Sequence, residues 1–159
     1  MLFSSTLALA LTITAAAASP IFPRAGGPAF VPIPSDCTIT NPLPHASSSC
    51  GNGTVNGYMP SPSFTNSSAI YSFYLGEPDY EPLNTRWEGC LEQCHGLSGC
   101  VSAFLGFNVP TPKGYYGTAG GVLSVACFMF DKYATPNDFV AAPKGQYVNE
   151  TAGNIYCPS

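Results

Sequence analysis

The sequence predicts an α+β fold: one antiparallel sheet with a single helix packed on it, stapled by disulfide bonds. Three observations predict this class. One stretch, at 85–96, has the apolar periodicity of a helix, and the segments on either side have the composition and alternation of strands. Seven cysteines occur among 159 residues. The remaining segments are rich in glycine, proline and serine, which is typical of loops.

Residues 1–18 have the pattern of a secretory signal peptide. A short polar start is followed by an apolar run at 7–13 and then by small residues, so that cleavage after Ala18 would leave Ala16 three positions before the cut. The apolar run is shorter than the roughly 20 residues that span a bilayer. We therefore expect a secreted protein, extracellular or associated with a cell wall, with no membrane insertion.

Residues 19–49 contain seven prolines and end in three consecutive serines. Proline has no backbone N–H and a fixed φ, so it is a poor residue for the interior of a sheet. Such a segment is typical of an extended linker. The sequence therefore predicts a tether at 19–49, which includes Cys37, and a folded domain at 50–159.

Secretion decides how the cysteines are interpreted. In an oxidising compartment they indicate disulfides rather than metal ligands or redox groups. Because seven is an odd number, one cysteine is left to remain unpaired or to form a disulfide-linked dimer. Three N-glycosylation sequons begin at Asn52, Asn66 and Asn149, which agrees with the same compartment.

Charged residues are scarce and do not cluster. Five basic and nine acidic residues give a net charge of −4. A nucleic-acid partner would require a basic patch to meet the phosphates, and the sequence has none. The aromatic content of 13% is too high for a disordered chain. The low charge and the high aromatic content together indicate a globular protein whose partners are neither nucleic acids nor anionic membranes.

The helical stretch has start and stop signals. Thr85 and Glu88 have the T-x-x-E spacing of a capping box, and Gly96 is placed to end the helix in a left-handed conformation. One face carries the apolar residues at i, i+3, i+4 and i+7, namely Trp87, Cys90, Leu91 and Cys94. The polar side chains off this stripe are expected to face water: Arg86, Glu88, Glu92 and Gln93.

Strands are predicted around this helix from β-branched and aromatic content and from alternation. They cover 54–58, 69–75, 100–107, 122–130 and 151–157. The segments between them are predicted to be loops: 61–68, 76–82, 108–121 and 131–145. Three acids at 77–81 could suggest a calcium site, but the two prolines of the loop at 76–82 favour a solvated connector.

The sequence offers few catalytic combinations. His45 lies in the tether, and His95 adjoins Cys94, which would be no nucleophile within a disulfide. A zinc set could be drawn from Cys90, Cys94, His95 and Cys100, although secretion favours disulfides. The acidic residues all appear in solvated positions, without the facing pair that glycoside hydrolysis needs. We expect a protein that is not an enzyme and has neither a cofactor nor a bound metal.

The run C-L-E-Q-C-H-G-L-S-G-C-V-S-A-F, followed by C-F-M-F, resembles the PAN/apple module, in the variants found in small secreted fungal proteins. The positions that carry the resemblance are Cys90, Cys94, Cys100 with Phe104, and Cys127 with Phe128. The resemblance covers roughly 50–157, and its specific part is 85–130. It implies an apple-like antiparallel sheet with one helix.

The resemblance also implies a disulfide pattern. The expected bonds are Cys90–Cys127, Cys94–Cys100 and, as in six-cysteine modules, Cys50–Cys157 between the first and last strands. Cys37 is extra to this pattern. It is expected to be unpaired, to bond a second chain, or to pair with Cys50 and leave Cys157 to another partner.

The function implied by the resemblance is binding. PAN/apple modules bind proteins or carbohydrates through different faces, so the ligand does not follow from the fold. We expect a secreted, non-enzymatic module that recognises protein or carbohydrate through its loops. Tyr115 and Tyr116 are the candidate contacts, since an exposed tyrosine offers an apolar face and a hydroxyl; their alternative role is packing of the hairpin loop. The competing function is a structural cell-wall or matrix protein, cross-linked through the extra cysteine.

Overall fold

The structure, a computed structural model, describes residues 27–44, 57–76 and 82–158. Its architecture is mixed α/β, with an antiparallel sheet of five strands, a second sheet of two strands and two α-helices in the described residues. The predicted signal peptide, Cys50, Asn52 and most of the strand predicted at 54–58 lie outside the described residues.

All neighbouring strands of the five-stranded sheet are antiparallel. The strands are β1 (Thr38–Thr40), β3 (Ala69–Leu75), β4 (Ser102–Pro110), β5 (Leu123–Phe130) and β7 (Val148–Tyr156). Their order across the sheet is β1-β7-β4-β5-β3, which places β1 and β3 at the two edges. The smaller sheet pairs β2 (Tyr58–Pro60) with β6 (Phe139–Ala141). The predicted strand at 69–75 is confirmed at both ends.

The five-stranded sheet has a buried cluster on each face because successive side chains of a strand point to opposite sides. One cluster lies under helix α2 (Leu83–His95) and includes Leu105, Cys127 and Met129. The other is covered by helix α1 (Pro62–Ser68), the small sheet and the loop after β5; it includes Phe64, Phe104, Phe128, Phe130 and Phe139. The sheet is therefore the middle layer of the domain.

Helix α1 replaces the loop predicted at 61–68, so the prediction of a single helix is wrong. Ser61 caps the helix, since its Oγ accepts a hydrogen bond from the Phe64 backbone N–H at 3.2 Å, and Pro62 occupies the first turn. Phe64 then packs on Phe130, with ring centroids 4.6 Å apart. A short polar helix with one buried aromatic residue has too few apolar positions for a periodic pattern to be visible in the sequence.

Helix α2 ends where the sequence predicts, with Gly96 at the C-cap, but the predicted start and the left-handed conformation predicted for Gly96 are wrong. The helix begins at Leu83 with Pro82 at the N-cap, and no side chain caps it. Gly96 has φ −77°, which is right-handed. Glycine is required there for another reason: a Cβ would overlap the carbonyl oxygen of Ala29, which crosses the end of the helix.

The prediction that residues 19–49 lie outside the core is wrong for the described part, 27–44. Val31 N–H donates to the Glu92 carbonyl oxygen at 3.1 Å, so this segment lies against α2. β1 then pairs with β7, with Ile39 opposite Ile155. The prolines are compatible with this pairing because β1 is an edge strand of only three residues. The folded domain therefore includes residues well before Cys50.

Three disulfides join the six cysteines of the described residues. Cys90–Cys127 ties α2 to β5, and Cys94–Cys100 ties the end of α2 to the approach to β4, as the resemblance implies. The third bond is Cys37–Cys157 rather than Cys50–Cys157, so the prediction that Cys37 is unpaired or intermolecular is wrong. Pairing of β1 with β7 brings the Cα atoms of Cys37 and Cys157 to 4.1 Å.

Candidate binding groove

A groove of about 630 Å³ lies between α2 and the edge strand β3. Its aromatic lining is Phe30, Tyr71, Phe73, Tyr74, Tyr115 and Tyr116. Its polar lining is Thr85, Arg86, Glu88, Glu92 and Gln93. A volume in the range of roughly 300–1,000 Å³ with an apolar lining and a few polar groups is typical of a ligand pocket. We refer to it below as the aromatic groove.

Tyr115 attaches the loop between β4 and β5 to the free edge of the sheet. Its hydroxyl accepts a hydrogen bond from the Tyr74 backbone N–H at 3.0 Å and lies 3.4 Å from the Tyr74 carbonyl oxygen, to which it donates. Its ring also meets the Tyr74 ring edge-on, with centroids 4.8 Å apart. Tyr115 therefore packs against β3, which was the alternative role considered from the sequence, and it also lines the groove.

Tyr116 projects from the same loop into solvent. It is 87% exposed, and its ring lies edge-on to that of Tyr115, with centroids 4.6 Å apart. Its φ of +47° is left-handed, a conformation that costs a non-glycine residue about 1–3 kcal/mol. Gly114 and Gly117 on either side also have positive φ values, which gives the turn its shape. The backbone therefore presents an exposed aromatic ring at the rim of the groove.

Phe30 supplies a second exposed ring, on the α2 side of the groove. It is 62% exposed. Its ring lies so close to α2 that a Cβ on Gly89 would be 3.2 Å from Phe30 Cε1. Phe30 was missed because the sequence placed it in the tether. The F-V-P run inside a proline-rich segment was the available signal, since linkers seldom need large apolar residues.

Arg86 and Gln93 line the groove as buried residues, which corrects the prediction that they face water. Arg86 is 5% exposed and Gln93 is 8% exposed. The segment that begins at Gly27 covers this side of α2: a Cβ on Gly27 would lie 3.3 Å from Gln93 Nε2 and 3.1 Å from the Tyr71 hydroxyl oxygen. Helical periodicity could not reveal this burial because the covering residues are more than fifty positions away in sequence.

Gln93 has a buried acceptor that the described residues leave unused. No donor of the described residues hydrogen bonds to its Oε1, although that atom is out of contact with solvent. An unsatisfied buried amide oxygen is uncommon in folded proteins and calls for a specific explanation, such as a bound water or ion. Gln93 is therefore the polar group of the groove with the clearest unmet bonding capacity.

The hydroxyls of Tyr74 and Tyr115 in the groove are neutral in ordinary solution. Burial raises the pKa of Tyr74 to about 12, and the neighbouring Tyr147 and Tyr115 hydroxyls add to the effect. Burial also raises the pKa of Tyr115, although the hydrogen bond from the Tyr74 backbone lowers it in part. These phenols can therefore donate and accept hydrogen bonds without contributing charge.

The groove offers little for nucleophilic chemistry. Cys94 is in a disulfide, so its sulfur is no thiolate, and His95 Nδ1 lies 3.3 Å from the Val31 carbonyl oxygen. Across residues 27–44, 57–76 and 82–158, no group of three or more His, Cys, Asp or Glu side chains is arranged to hold a metal ion.

Two of the three predicted glycosylation sites are described. Asn66 is exposed on α1, and Asn149 is exposed in β7 with φ +49°. Neither is among the residues that line the groove. Their modification stays a prediction, and Asn52 lies outside the described residues.

Comparison with known proteins gives no relative: no protein-family model, curated protein or solved structure matches this chain. Within the part of the chain that the structure describes, none of the helices is long and apolar enough to cross a membrane.

Proposed function

We propose that this chain is a secreted, non-enzymatic binding module of the PAN/apple type, which takes an extracellular protein or carbohydrate in the aromatic groove. The groove itself is the observation that carries the proposal. It combines two exposed aromatic rings, Tyr116 and Phe30, with buried polar side chains in a concave space. Solvent-exposed aromatic residues at a concave site are the usual anchors of protein and ligand recognition.

The module type is supported by the disulfides around α2. Cys90–Cys127 and Cys94–Cys100 agree with the pattern of the family that the sequence resembles, and α2 packs on an antiparallel sheet as that family's helix does. Secretion is supported by the signal-like residues 1–18 and by three disulfides, which persist in oxidising compartments.

The proposal is tested by binding measurements on the secreted protein. The protein is screened against arrays of extracellular proteins and of glycans, and hits are measured by titration calorimetry. Tyr116→Ala is expected to weaken binding at least tenfold, because it removes an exposed ring whose backbone geometry is already set. Tyr133→Ala is the matched control, since Tyr133 is an exposed tyrosine outside the groove. Equal loss in both variants, or no ligand on either array, would refute the proposal.

A second candidate function is a structural protein of a cell wall or matrix, cross-linked between chains. The observation that favours it is the cysteine count: six of the seven are bonded to one another, which leaves Cys50, outside the described residues. We propose Cys50 rather than Cys37 as the linking residue. Non-reducing electrophoresis tests this: a dimer that disappears in Cys50→Ser supports cross-linking, and a monomer in the parent protein rules it out.

A further inference from the structure

We infer that the aromatic groove binds a neutral oligosaccharide, with a sugar ring against Tyr116 and a sugar hydroxyl hydrogen bonded to Gln93. This inference rests on the proposed function, which leaves protein and carbohydrate open, and it narrows the ligand to one class. It depends on four features of the groove: the unused amide oxygen, the exposed rings, the balance of charge and the occupied sheet edge.

A hydroxyl group matches the hydrogen-bonding capacity of the Gln93 amide. Its Oε1 is buried and receives no hydrogen bond from the described residues. The oxygen and nitrogen of a glutamine amide have nearly the same shape, so a ligand group that both donates and accepts would satisfy the site in either orientation. A sugar hydroxyl has this property, whereas a peptide N–H only donates and a carbonyl only accepts.

The exposed rings suit the flat face of a pyranose. One side of such a sugar presents C–H groups, which pack on the electron-rich face of an aromatic ring. Tyr116 holds its ring out at 87% exposure from a left-handed backbone position, and Phe30 offers a second ring on the α2 side. Two rings spread along one groove fit a chain of linked sugars better than a single small molecule.

The charges of the groove favour a neutral ligand. Two carboxylates, Glu88 and Glu92, line it against one guanidinium, Arg86. The guanidinium is buried, whereas Glu88 is exposed. A uronate or sulfated sugar would meet like charge as it entered, which is a recognised means of excluding a ligand.

An extended peptide is disfavoured because the sheet edge beside the groove is already occupied at Tyr74. A peptide that adds a strand to a sheet binds through the free backbone groups of the edge strand. At Tyr74 of β3, both of these groups are engaged by the Tyr115 hydroxyl. A peptide would have to displace Tyr115, whereas a sugar held by rings and side chains would leave it in place.

Titration calorimetry with defined hexasaccharides tests the inference. The probes are cellohexaose, laminarihexaose, chitohexaose and mannohexaose, with hexagalacturonate as the anionic comparison and a library of extended peptides as the alternative class. We expect at least one neutral hexasaccharide to bind and hexagalacturonate to bind at least tenfold more weakly than it. Tyr116→Ala and Gln93→Met should each weaken binding at least tenfold, while Tyr133→Ala and Gln146→Met should leave it within twofold.

Thermal unfolding without ligand gives a second readout for Gln93. Methionine has nearly the same shape and no amide, so Gln93→Met removes a buried group that is unsatisfied in the free protein. We expect this variant to melt at a higher temperature than the parent while it loses affinity for the sugar. Gln146→Met, at a partly exposed position outside the groove, should change neither property.

The outcomes separate this inference from the proposed function. Binding of peptides but of no hexasaccharide would overturn the inference and leave the proposed function standing. Preference for hexagalacturonate would overturn the neutral ligand class. Sugar binding that neither Tyr116→Ala nor Gln93→Met changes would overturn the placement of the sugar in the groove. Absence of binding to every probe and to the arrays would overturn both.

Discussion

Asn154 fastens the loop after β5 to the sheet. Its side-chain oxygen accepts a hydrogen bond from the Ala134 N–H at 2.8 Å, and its side-chain nitrogen donates to the Ala134 carbonyl oxygen at 2.9 Å. Both residues are buried, so water cannot replace either bond. The Asn154 side chain thus bonds both backbone groups of Ala134, as a neighbouring strand would do for a residue of a sheet.

Replacement of Asn154 by alanine should therefore destabilise the protein clearly. Each buried backbone group left without a partner costs about 1–3 kcal/mol, and Asn154→Ala leaves two. Urea unfolding followed by the fluorescence of Trp87, the only tryptophan, measures the change in the free energy of unfolding. Asn137→Ala, at an exposed position in the neighbouring turn, is the control and should be nearly neutral. A loss below about 0.5 kcal/mol at Asn154 would show that the two bonds have no net effect on stability.

At the scale of single residues, the sequence predicted burial where one local pattern determined it. The cysteines of α2 face the core because they fall on the apolar stripe with Leu91, and all three are buried. Gln93 was wrongly assigned to solvent, since its side chain is covered by the segment at Gly27, far earlier in the chain. Long-range packing of this kind has no periodic signature, so the polar part of the groove could not be predicted.

The packing of α2 against the edge strand β1 depends on a glycine of β7. A Cβ on Gly153 would lie 2.9 Å from both Trp87 Cζ2 and Ile39 Cγ2, closer than packed atoms normally come. Gly153 lies in β7, Trp87 in α2 and Ile39 in β1. The absence of a side chain in β7 thus lets the tryptophan of the helix and the edge strand pack over it.

Gly153→Ala should push Trp87 and Ile39 away from the sheet. Overpacking of a filled site costs about 1–3 kcal/mol, and we expect a loss of this size together with a shift of the tryptophan emission towards that of a solvated ring. Gly76→Ala is the matched control, because a Cβ there has no neighbour within 4 Å among the described residues. If both variants unfold at the same urea concentration, the close approach of Trp87 and Ile39 over Gly153 does not affect the stability of the protein.

A helix or strand could be predicted from the sequence when its own residues carry the signal for it. β3 is rich in aromatic residues and includes the β-branched Ile70, and its bounds match the prediction. β1 has three residues, all exposed, between prolines, so neither composition nor alternation could separate it from a linker. What makes it a strand is the row of backbone groups on β7 and the disulfide bond at Cys37, immediately before it.

The bond between Cys37 and Cys157 closes most of the molecule into one loop, since the two cysteines are 120 positions apart. A loop of this length restricts the unfolded chain by about 4–5 kcal/mol on the chain-entropy model. Cys37→Ser with Cys157→Ser should lower the free energy of unfolding by up to that amount in urea. Cys50→Ser serves as the control and should unfold like the parent. Peptide mapping without reduction should also yield the Cys37–Cys157 peptide; a Cys50–Cys157 peptide would contradict the structure.

The packing of tyrosines around Tyr74 makes the whole molecule sensitive to alkali. Burial raises the pKa of Tyr74 from 10.0 to about 12 and also raises the pKa of Tyr147. Above about pH 10 the unfolded chain loses phenol protons that the folded chain still holds. A further rise in pH therefore favours the unfolded state over the folded state. The stability is complete below about pH 10 and falls as the pH rises towards 12.

Urea unfolding at a series of pH values should show this fall, and Tyr74→Phe should reduce its slope because the phenylalanine ring has no proton to lose. Tyr133→Phe, at an exposed position, is the control and should keep the slope of the parent. Because Tyr74 also anchors the Tyr115 hydroxyl through its backbone, which the substitution leaves in place, the variant should keep the groove intact. A Tyr74→Phe protein with the parent's alkaline slope would assign the titration to the other tyrosines, Tyr147 and Tyr115.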